Sequence, residues 1–243
     1  MPDGLRIQQG QISLSDGRRT FRLQIDQLDL ARGQAVALSG ASGSGKTLLL
    51  ELLGLLRAPG PGTVYRWADQ GDERDLAGLW AQGVRRAALA RMRGRLFGFV
   101  PQTGGLMPFL NVAENIALPQ RLNDCVDGAW TGMLMQRLGL DEVATLMPGA
   151  LSIGQRQRTA IARSLAHRPP FVIADEPTAA LDPDTADRVL ALLLEVASEQ
   201  GSGVILSSHD IDRVARFGIA RLELSTSTDP QGGVLSTIKA VPC

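Results

Sequence analysis

Residues Gly40 to Thr47 have the types and spacing of a phosphate-binding loop. They read Gly-Ala-Ser-Gly-Ser-Gly-Lys-Thr, the pattern G-x-x-x-x-G-K-[ST], between an apolar strand-like run and the helix-forming run Thr47–Leu53. Glycines let successive backbone N–H groups point at one anion, and a helix N-terminus favours negative charge. We expect Lys46 to reach the β- and γ-phosphates of a nucleotide and Thr47 to bind Mg²⁺. The alternative is a glycine-rich turn that merely carries a lysine.

Two adjacent carboxylates, Asp175 and Glu176, follow the apolar run Phe171–Ala174. Phosphoryl transfer needs a ligand for Mg²⁺ and a group that orients the attacking water. We expect Asp175 to hold Mg²⁺, directly or through water, and Glu176 to act as the general base. Taken singly, Asp175 could instead cap a helix and Glu176 could be a surface carboxylate.

Gln102 and His209 also fall at predicted strand ends. In a doubly wound sheet, ligands bind outside the carboxyl ends of the strands. Four polar residues at such ends, including Thr47 and Asp175, favour one common site. Taken alone, His209 is equally typical of a loop residue.

The composition is that of an ordinary globular protein. The 243 residues are 44% hydrophobic and 21% charged with a net charge of zero, so no overall field attracts nucleic acid. Two cysteines, Cys125 and Cys243, argue against a disulfide framework. The N-terminus lacks a signal-peptide pattern, and the longest apolar runs are too short to span a bilayer. We therefore expect a cytoplasmic protein whose membrane role, if any, comes from a partner.

Hydrophobic periodicity predicts an α/β fold. Residues 5–30 alternate as strands split by the turn Ser15–Gly17, and a terminal hairpin is expected around Gly232. Residues 69–74 are predicted as loop and residues 75–93 as helix. Helical patterns over 111–118 and 131–140 predict a helical subdomain inserted at about residues 103–165. Ser152 and Asp182 are predicted helix N-caps, the latter of a helix that runs to about Gln200.

Taken in order, these motifs resemble the nucleotide-binding subunit of an ATP-binding cassette (ABC) transporter, from about Gln34 to Gly218. The matching segments are the Walker A loop Gly40–Thr47, the Q-loop Gln102, the signature Leu151-Ser152-Ile153-Gly154-Gln155, the Walker B strand Phe171–Asp175 with Glu176, the D-loop Ala180-Leu181-Asp182 and the switch histidine His209. The implied fold is a single P-loop NTPase domain over residues 1–243, a mainly parallel sheet flanked by helices, with an N-terminal antiparallel β part and the inserted helical subdomain.

The resemblance also implies a function and a set of site residues. The cofactors are ATP and Mg²⁺, with Thr47, Gln102 and Asp175 arranging the metal and its waters. Glu176 is the implied catalytic base, and His209 contacts the γ-phosphate. The implied nucleotide contacts are the loop residues Gly40, Ala41, Ser42, Gly43, Ser44, Gly45, Lys46, Thr47 and Leu48.

A second cassette subunit is implied by the signature motif. In the family two cassettes pair head to tail, so Ser152, Gly154 and Gln155 are expected to touch the ATP of the other subunit, at the N-terminus of a helix. Asp182 is expected at the same interface. A monomer would thus have an incomplete site, and a homodimer on ATP binding is expected.

Three departures from the family pattern stand out. Ile153 replaces the usual glycine of the signature, and Leu48 replaces a hydroxyl residue while leaving its backbone amide. The usual adenine-stacking aromatic before the loop is absent unless Phe21 fills that role. Phe21 also fits the alternating core pattern, and Arg18 or Arg19 could stack instead.

The segment Gln102–Asn115 resembles a branch that serves lipoprotein-release and macrolide-export permeases. We expect an ATPase that powers an exporter through a separate integral membrane permease, peripheral on the cytoplasmic face of the inner membrane. The alternative is a non-transport ABC ATPase that drives a permease-like partner in cell division or envelope signalling. Apolar residues after the Q-loop are expected to dock the permease or else to pack the helical lobe: Leu106, Met107, Phe109 and Leu110.

Overall fold

The chain alternates strands and helices over most of its length. The computed structural model describes residues 3–15, 17, 20–81, 86–229 and 232–241. The strands are β1 (Gly4–Ser15), β2 (Thr20–Ala31), β3 (Ala35–Ser39), β4 (Val64–Asp69), β5 (Asp72–Asp75), β6 (Phe97–Val100), β7 (Phe171–Ala174), β8 (Gly203–Ser207), β9 (Ala220–Thr228) and β10 (Val234–Val241). The helices are α1 (Lys46–Leu53), α2 (Leu76–Ala81), α3 (Arg86–Leu96), α4 (Val112–Leu122), α5 (Gly128–Arg137), α6 (Ile153–Leu165), α7 (Pro183–Glu199) and α8 (Ile211–Arg216). The chain divides into two compact units, one of residues 1–90 and 209–243 and one of residues 91–208.

The first unit contains strands in the order β5-β4-β1-β2-β10-β9-β3. The predicted N-terminal strands are confirmed as the long antiparallel pair β1 and β2, with Leu5 opposite Leu30. Alternate side chains such as Ile7 and Leu23 are completely buried, as period-2 patterning requires. The predicted terminal hairpin is also confirmed, since β9 and β10 pair antiparallel, while β3 pairs with β9 and β10 with β2 in parallel.

The prediction of a loop over residues 69–74 was wrong. β4 and β5 form an antiparallel hairpin there, with Asp69 opposite Asp72. The two turn residues, Gln70 and Gly71, both have positive φ (49° and 90°), the conformation of a tight two-residue hairpin turn. The polar composition concealed the strand because β5 is exposed throughout. The predicted helix over 75–93 is replaced by α2 and α3, and residues 82–85 lie outside the described residues.

The second unit contains the parallel strands β8-β7-β6, with Phe97 opposite Phe171 and Phe171 opposite Gly203. All residues of β7 and β8 are buried, which explains their continuous apolar runs. Helices α4, α5 and α6 pack on one another, and α6 also packs on α7.

Local capping sets the ends of these helices. Asn111 and Glu114 form a reciprocal capping box that begins α4, which continues beyond the predicted end at 118 to Leu122. α5 begins at Gly128, earlier than predicted, because the Asp127 side chain accepts from the Trp130 backbone N–H. Among the described residues, no helix is both long and apolar enough to cross a membrane.

Candidate nucleotide-binding and catalytic site

The candidate phosphate loop joins β3 to α1, and Lys46 is the first residue of that helix. The Lys46 side chain is only 7% exposed. Its Nζ donates hydrogen bonds to the carbonyl oxygens of Gly40 (2.9 Å) and Ala41 (3.1 Å). Neither oxygen carries a formal charge, so these bonds fix the ammonium without neutralising it. The arrangement is a buried cation held by a glycine-rich loop, which is suited to a phosphate.

Two glycines of the loop are required by its geometry. Gly40 has φ 140°, and a Cβ there would lie 2.5 Å from the carbonyl oxygen of Leu224 on β9. Gly45 has φ 97°, and a Cβ there would lie 2.9 Å from Cζ of Phe21 on β2. No other residue type fits these positions without moving the backbone or the ring.

Ser44 bears directly on whether the loop fits an anion. Its carbonyl oxygen accepts from Ser236 Oγ of β10 (2.6 Å), which anchors the loop. Its own Oγ is buried and has no hydrogen-bond partner among the described residues. Since an unpaired buried hydroxyl is unfavourable, a ligand oxygen in this loop would satisfy it.

The two candidate carboxylates follow β7. The Asp175 backbone N–H donates to the carbonyl oxygen of Val100, continuing the pairing of β7 with β6. Glu176 has φ 47°, a left-handed conformation that is unusual for a residue with a side chain. Residues with such strained backbones are often found at functional sites. Ser207, the last residue of β8, donates from Oγ to Asp175 Oδ1 and accepts from the Glu176 backbone N–H.

Sequence reasoning missed Ser207. The signal was available, because Ser207 is a polar residue at the end of a buried apolar strand. In register, Leu206 lies opposite Ala174, which places Ser207 beside Asp175.

The signature residues form the N-terminus of α6. Ser152 Oγ accepts from the Gln155 N–H, and the Gln155 side chain accepts from the Ser152 N–H, so the predicted capping box is confirmed. Ser152 and Ile153 are exposed, the latter by 52%. A Cβ on Gly154 would meet its nearest neighbours, in Leu181 and Thr185, at an ordinary 3.8 Å. Packing among the described residues therefore does not require glycine at position 154.

The remaining predicted site residues lie as follows. Asp182 caps α7 by accepting from the Thr185 N–H, and this hydrogen bond holds the pKa of the carboxyl below its usual value.

Gln102 and His209 have exposed side chains. Lys46 and the loop around it, with His209, belong to the first unit, and the other predicted site residues belong to the second. Arg18 and Arg19 lie outside the described residues.

The fold and the loop define the class. A buried lysine on a glycine-rich loop between a strand and a helix, with adjacent carboxylates after another parallel strand, is the arrangement of a P-loop NTPase. Residues 23–179 match the family described as ABC transporter.

Individual relatives agree with this class. The chain is 39% identical over 192 residues to the lipoprotein-releasing system ATP-binding protein LolD of Bordetella pertussis, covering 78% of this chain and 79% of that protein. It is 36% identical over 212 residues to the protein of the same name from Myxococcus xanthus, with 86% and 90% covered. A dimeric ATP-binding cassette solved in a post-hydrolysis state with ADP and phosphate aligns with a TM-score of 0.76 at 29% identity, covering 90% of this chain and 93% of that one.

The chain belongs to the ABC transporter family. It is an ATP-binding cassette ATPase, and the predicted α/β fold of a P-loop NTPase is confirmed.

Proposed function

We propose that this chain binds Mg²⁺·ATP in a site completed by a second copy of itself and uses hydrolysis to drive a membrane permease that handles lipoproteins or similar lipid-linked substrates. The observation that best supports a site shared by two chains concerns Gly154. Ser152 and Ile153 at the start of α6 are exposed and Gly154 is half-buried, and nothing among the described residues excludes a Cβ at Gly154. A glycine that its own chain does not need is explained by close approach of something outside it.

Lys46 and the loop amides of residues 40–48 would hold the phosphates. The loop fits them, because its ammonium is positioned but not neutralised and the Ser44 hydroxyl has no partner in the part of the chain that the structure describes. Thr47, Gln102 and Asp175 are oxygen donors of the kind that Mg²⁺ prefers, and we assign the metal to them. When bound by these residues, Mg²⁺ would supply positive charge to offset the negative charge that develops during phosphoryl transfer.

Hydrolysis requires a base for the attacking water, and we assign that role to Glu176. Its left-handed backbone fixes the direction in which the side chain leaves the main chain. We assign to His209 a hydrogen bond to the γ-phosphate. Its side chain is exposed and so accessible to a ligand.

In the proposed dimer, Ser152, Gly154 and Gln155 of one copy contact the ATP held by the loop of the other. An exposed helix N-terminus of this kind offers backbone N–H groups and a favourable dipole to the γ-phosphate. Asp182, which stays ionised at the start of α7, would lie at the same interface. The solved cassette described above, which aligns with this chain, is dimeric.

The permease is assigned from the two relatives described above, both of which are named as ATP-binding proteins of a lipoprotein-releasing system. This favours export of lipoproteins over the alternative role in cell division or envelope signalling. Phe109, which is 71% exposed, is the proposed contact with the permease. The buried Asn115 side chain holds the loop before α4 by bonding the carbonyl oxygens of Met107 and Leu110. The protein would then sit on the cytoplasmic face of the inner membrane.

The substitution Glu176→Gln tests the hydrolytic part of this proposal. The variant should bind ATP, hydrolyse it far more slowly and accumulate as a dimer measurable by light scattering, because the nucleotide that joins the two copies persists. Hydrolysis at the wild-type rate would remove Glu176 as the base. The transport part is tested by purification from membranes: the expected result is a co-purifying integral membrane protein whose lipoprotein release in vesicles depends on ATP.

A further inference from the structure

Ser207 links the two candidate carboxylates through one hydroxyl group. Its Oγ lies 2.6 Å from Asp175 Oδ1 and 2.9 Å from the backbone nitrogen of Glu176. A serine hydroxyl has one proton and can accept through its lone pairs. The backbone nitrogen must donate, so the hydroxyl proton is committed to the Asp175 carboxylate.

The environment leaves this hydroxyl little freedom. Ser207 is completely buried at the end of β8, whose other residues are buried as well. The hydroxyl therefore cannot exchange these partners for bulk water. A bond of this kind selects one orientation of the Asp175 carboxylate, as partners of metal-binding groups commonly do.

The second bond acts on the backbone of Glu176. The backbone of Glu176 has φ 47°, and Pro177 follows it. A residue with a side chain adopts this left-handed conformation only when its surroundings impose it. The N–H of Glu176 is fixed by Ser207, and the Glu176 carbonyl oxygen accepts from the Ala179 N–H. The peptide groups on both sides of the Glu176 Cα are thereby held.

We propose that Ser207 is a positioning residue for catalysis: its single hydroxyl orients Asp175 toward the metal and holds Glu176 in its left-handed conformation. This inference rests on the proposed metal role of Asp175 and base role of Glu176. It predicts that loss of the hydroxyl weakens the effect of Mg²⁺ on nucleotide binding and slows hydrolysis, while metal-free nucleotide binding is unchanged.

The test compares Ser207→Ala with Ser202→Ala. Ser202 is also buried in the second unit, and its hydroxyl bonds the Pro169 carbonyl oxygen rather than a carboxylate. Ser202→Ala loses one hydrogen bond and Ser207→Ala loses two, so a merely structural effect would lower both melting temperatures without changing how nucleotide affinity depends on Mg²⁺. The probe is the β,γ-imido analogue of ATP, whose dissociation constant is measured by calorimetry with Mg²⁺ and again with EDTA.

For wild type and Ser202→Ala, the same large ratio of the two dissociation constants is expected. For Ser207→Ala the ratio should fall by roughly 10-fold, and kcat should fall with KM for ATP nearly unchanged. A wild-type ratio in Ser207→Ala would overturn the inference. If Ser207→Ala does not fold, Ser207→Cys replaces it. Because a thiol is a weak donor, its ratio should also fall, and an unchanged ratio would again overturn the inference.

Asp175→Asn separates this inference from the proposed function. If Asp175→Asn loses the Mg²⁺ effect and Ser207→Ala keeps it, the metal role stands and the Ser207 role is wrong. If Asp175→Asn keeps the effect, the metal role is wrong and the Ser207 inference fails with it.

Discussion

Arg163 of α6 donates a hydrogen bond from Nη1 to the carbonyl oxygen of Gly105, 2.8 Å away, in the loop that follows Gln102. Its Nη2 also donates to the carbonyl oxygen of Gly104. Burial lowers the pKa of this guanidinium, but arginine remains charged in proteins. The helix that begins with the signature residues thus holds the loop that carries Gln102.

Arg163→Ala should slow ATP hydrolysis by roughly 10-fold while nucleotide affinity changes little, because Gln102 loses its fixed position and the phosphate loop does not. Steady-state kinetics and calorimetry measure the two effects. Arg158→Ala is the matched control, since Arg158 of the same helix donates to the carbonyl oxygens of Leu138 and Gly139 at the end of α5. Equal loss of activity in both variants would contradict a link specific to the Gln102 loop.

Phe21 is half-buried on β2 with its ring tip against Gly45, the residue before α1. This places an aromatic surface beside the phosphate loop, so we expect the ring to stack on the adenine. Phe21→Ala should weaken ATP binding by roughly 10-fold, and Phe21→Tyr should restore it, because base stacking on an aromatic ring contributes about 1–3 kcal/mol.

Inorganic triphosphate provides the control for this substitution. It lacks a base, so its affinity should be the same in wild type and Phe21→Ala. If ATP and triphosphate weaken together, Phe21 supports the loop as a core residue and does not contact the base.

His167 should make stability depend on pH. Burial lowers its pKa from 6.5 to about 4, and neither ring nitrogen has a hydrogen-bond partner of normal geometry among the described residues. Between these two values the unfolded chain binds the proton more readily than the folded one. The free energy of unfolding should therefore fall as pH falls from about 6.5 to 4, by up to about 3 kcal/mol.

Urea unfolding of wild type and His167→Gln across this pH range isolates the effect, since glutamine does not titrate. As the pH falls, the free energy of unfolding of the wild type should decrease relative to that of His167→Gln. Parallel curves for the two proteins would show that His167 is not buried in its neutral form.

Local chemical patterns made much of this fold predictable from the sequence. The capping residues Ser152 and Asp182 begin helices where expected, and the alternation in β1 and β2 located the N-terminal strands, because both signals depend on residues close in sequence. β5 was not predicted because its four residues are all polar and exposed, so the strand shows no alternation of buried and exposed side chains. The sequence did not predict Ser207 as a partner of Asp175, because the strand register that brings them together is a tertiary feature.

The candidate site was predictable where chemistry requires adjacent residues and less so where it requires packing. The phosphate loop could be located from its own eight residues. The close approaches of Gly40 to Leu224 and of Gly45 to Phe21, and the bond from Ser236 to Ser44, depend on β9, β2 and β10, which are distant in sequence.

The central claim is that each ATP site is built from two copies of the chain. Mixing two inactive variants, Lys46→Ala and Gly154→Asp, tests it most directly by ATP hydrolysis. Lys46→Ala removes the loop cation, and Gly154→Asp places a carboxylate where the partner's phosphate is expected. The control is Lys239→Ala, which changes the only other lysine of the sequence and should hydrolyse ATP without being mixed with another variant.

A mixed dimer contains one site with both defects and one site with neither. An equal mixture should therefore recover hydrolysis, with roughly a quarter of all sites intact if the copies pair at random. Hydrolysis by Gly154→Asp alone at the wild-type rate, or a mixture no more active than its separate components at any ratio, would contradict a site shared between two chains.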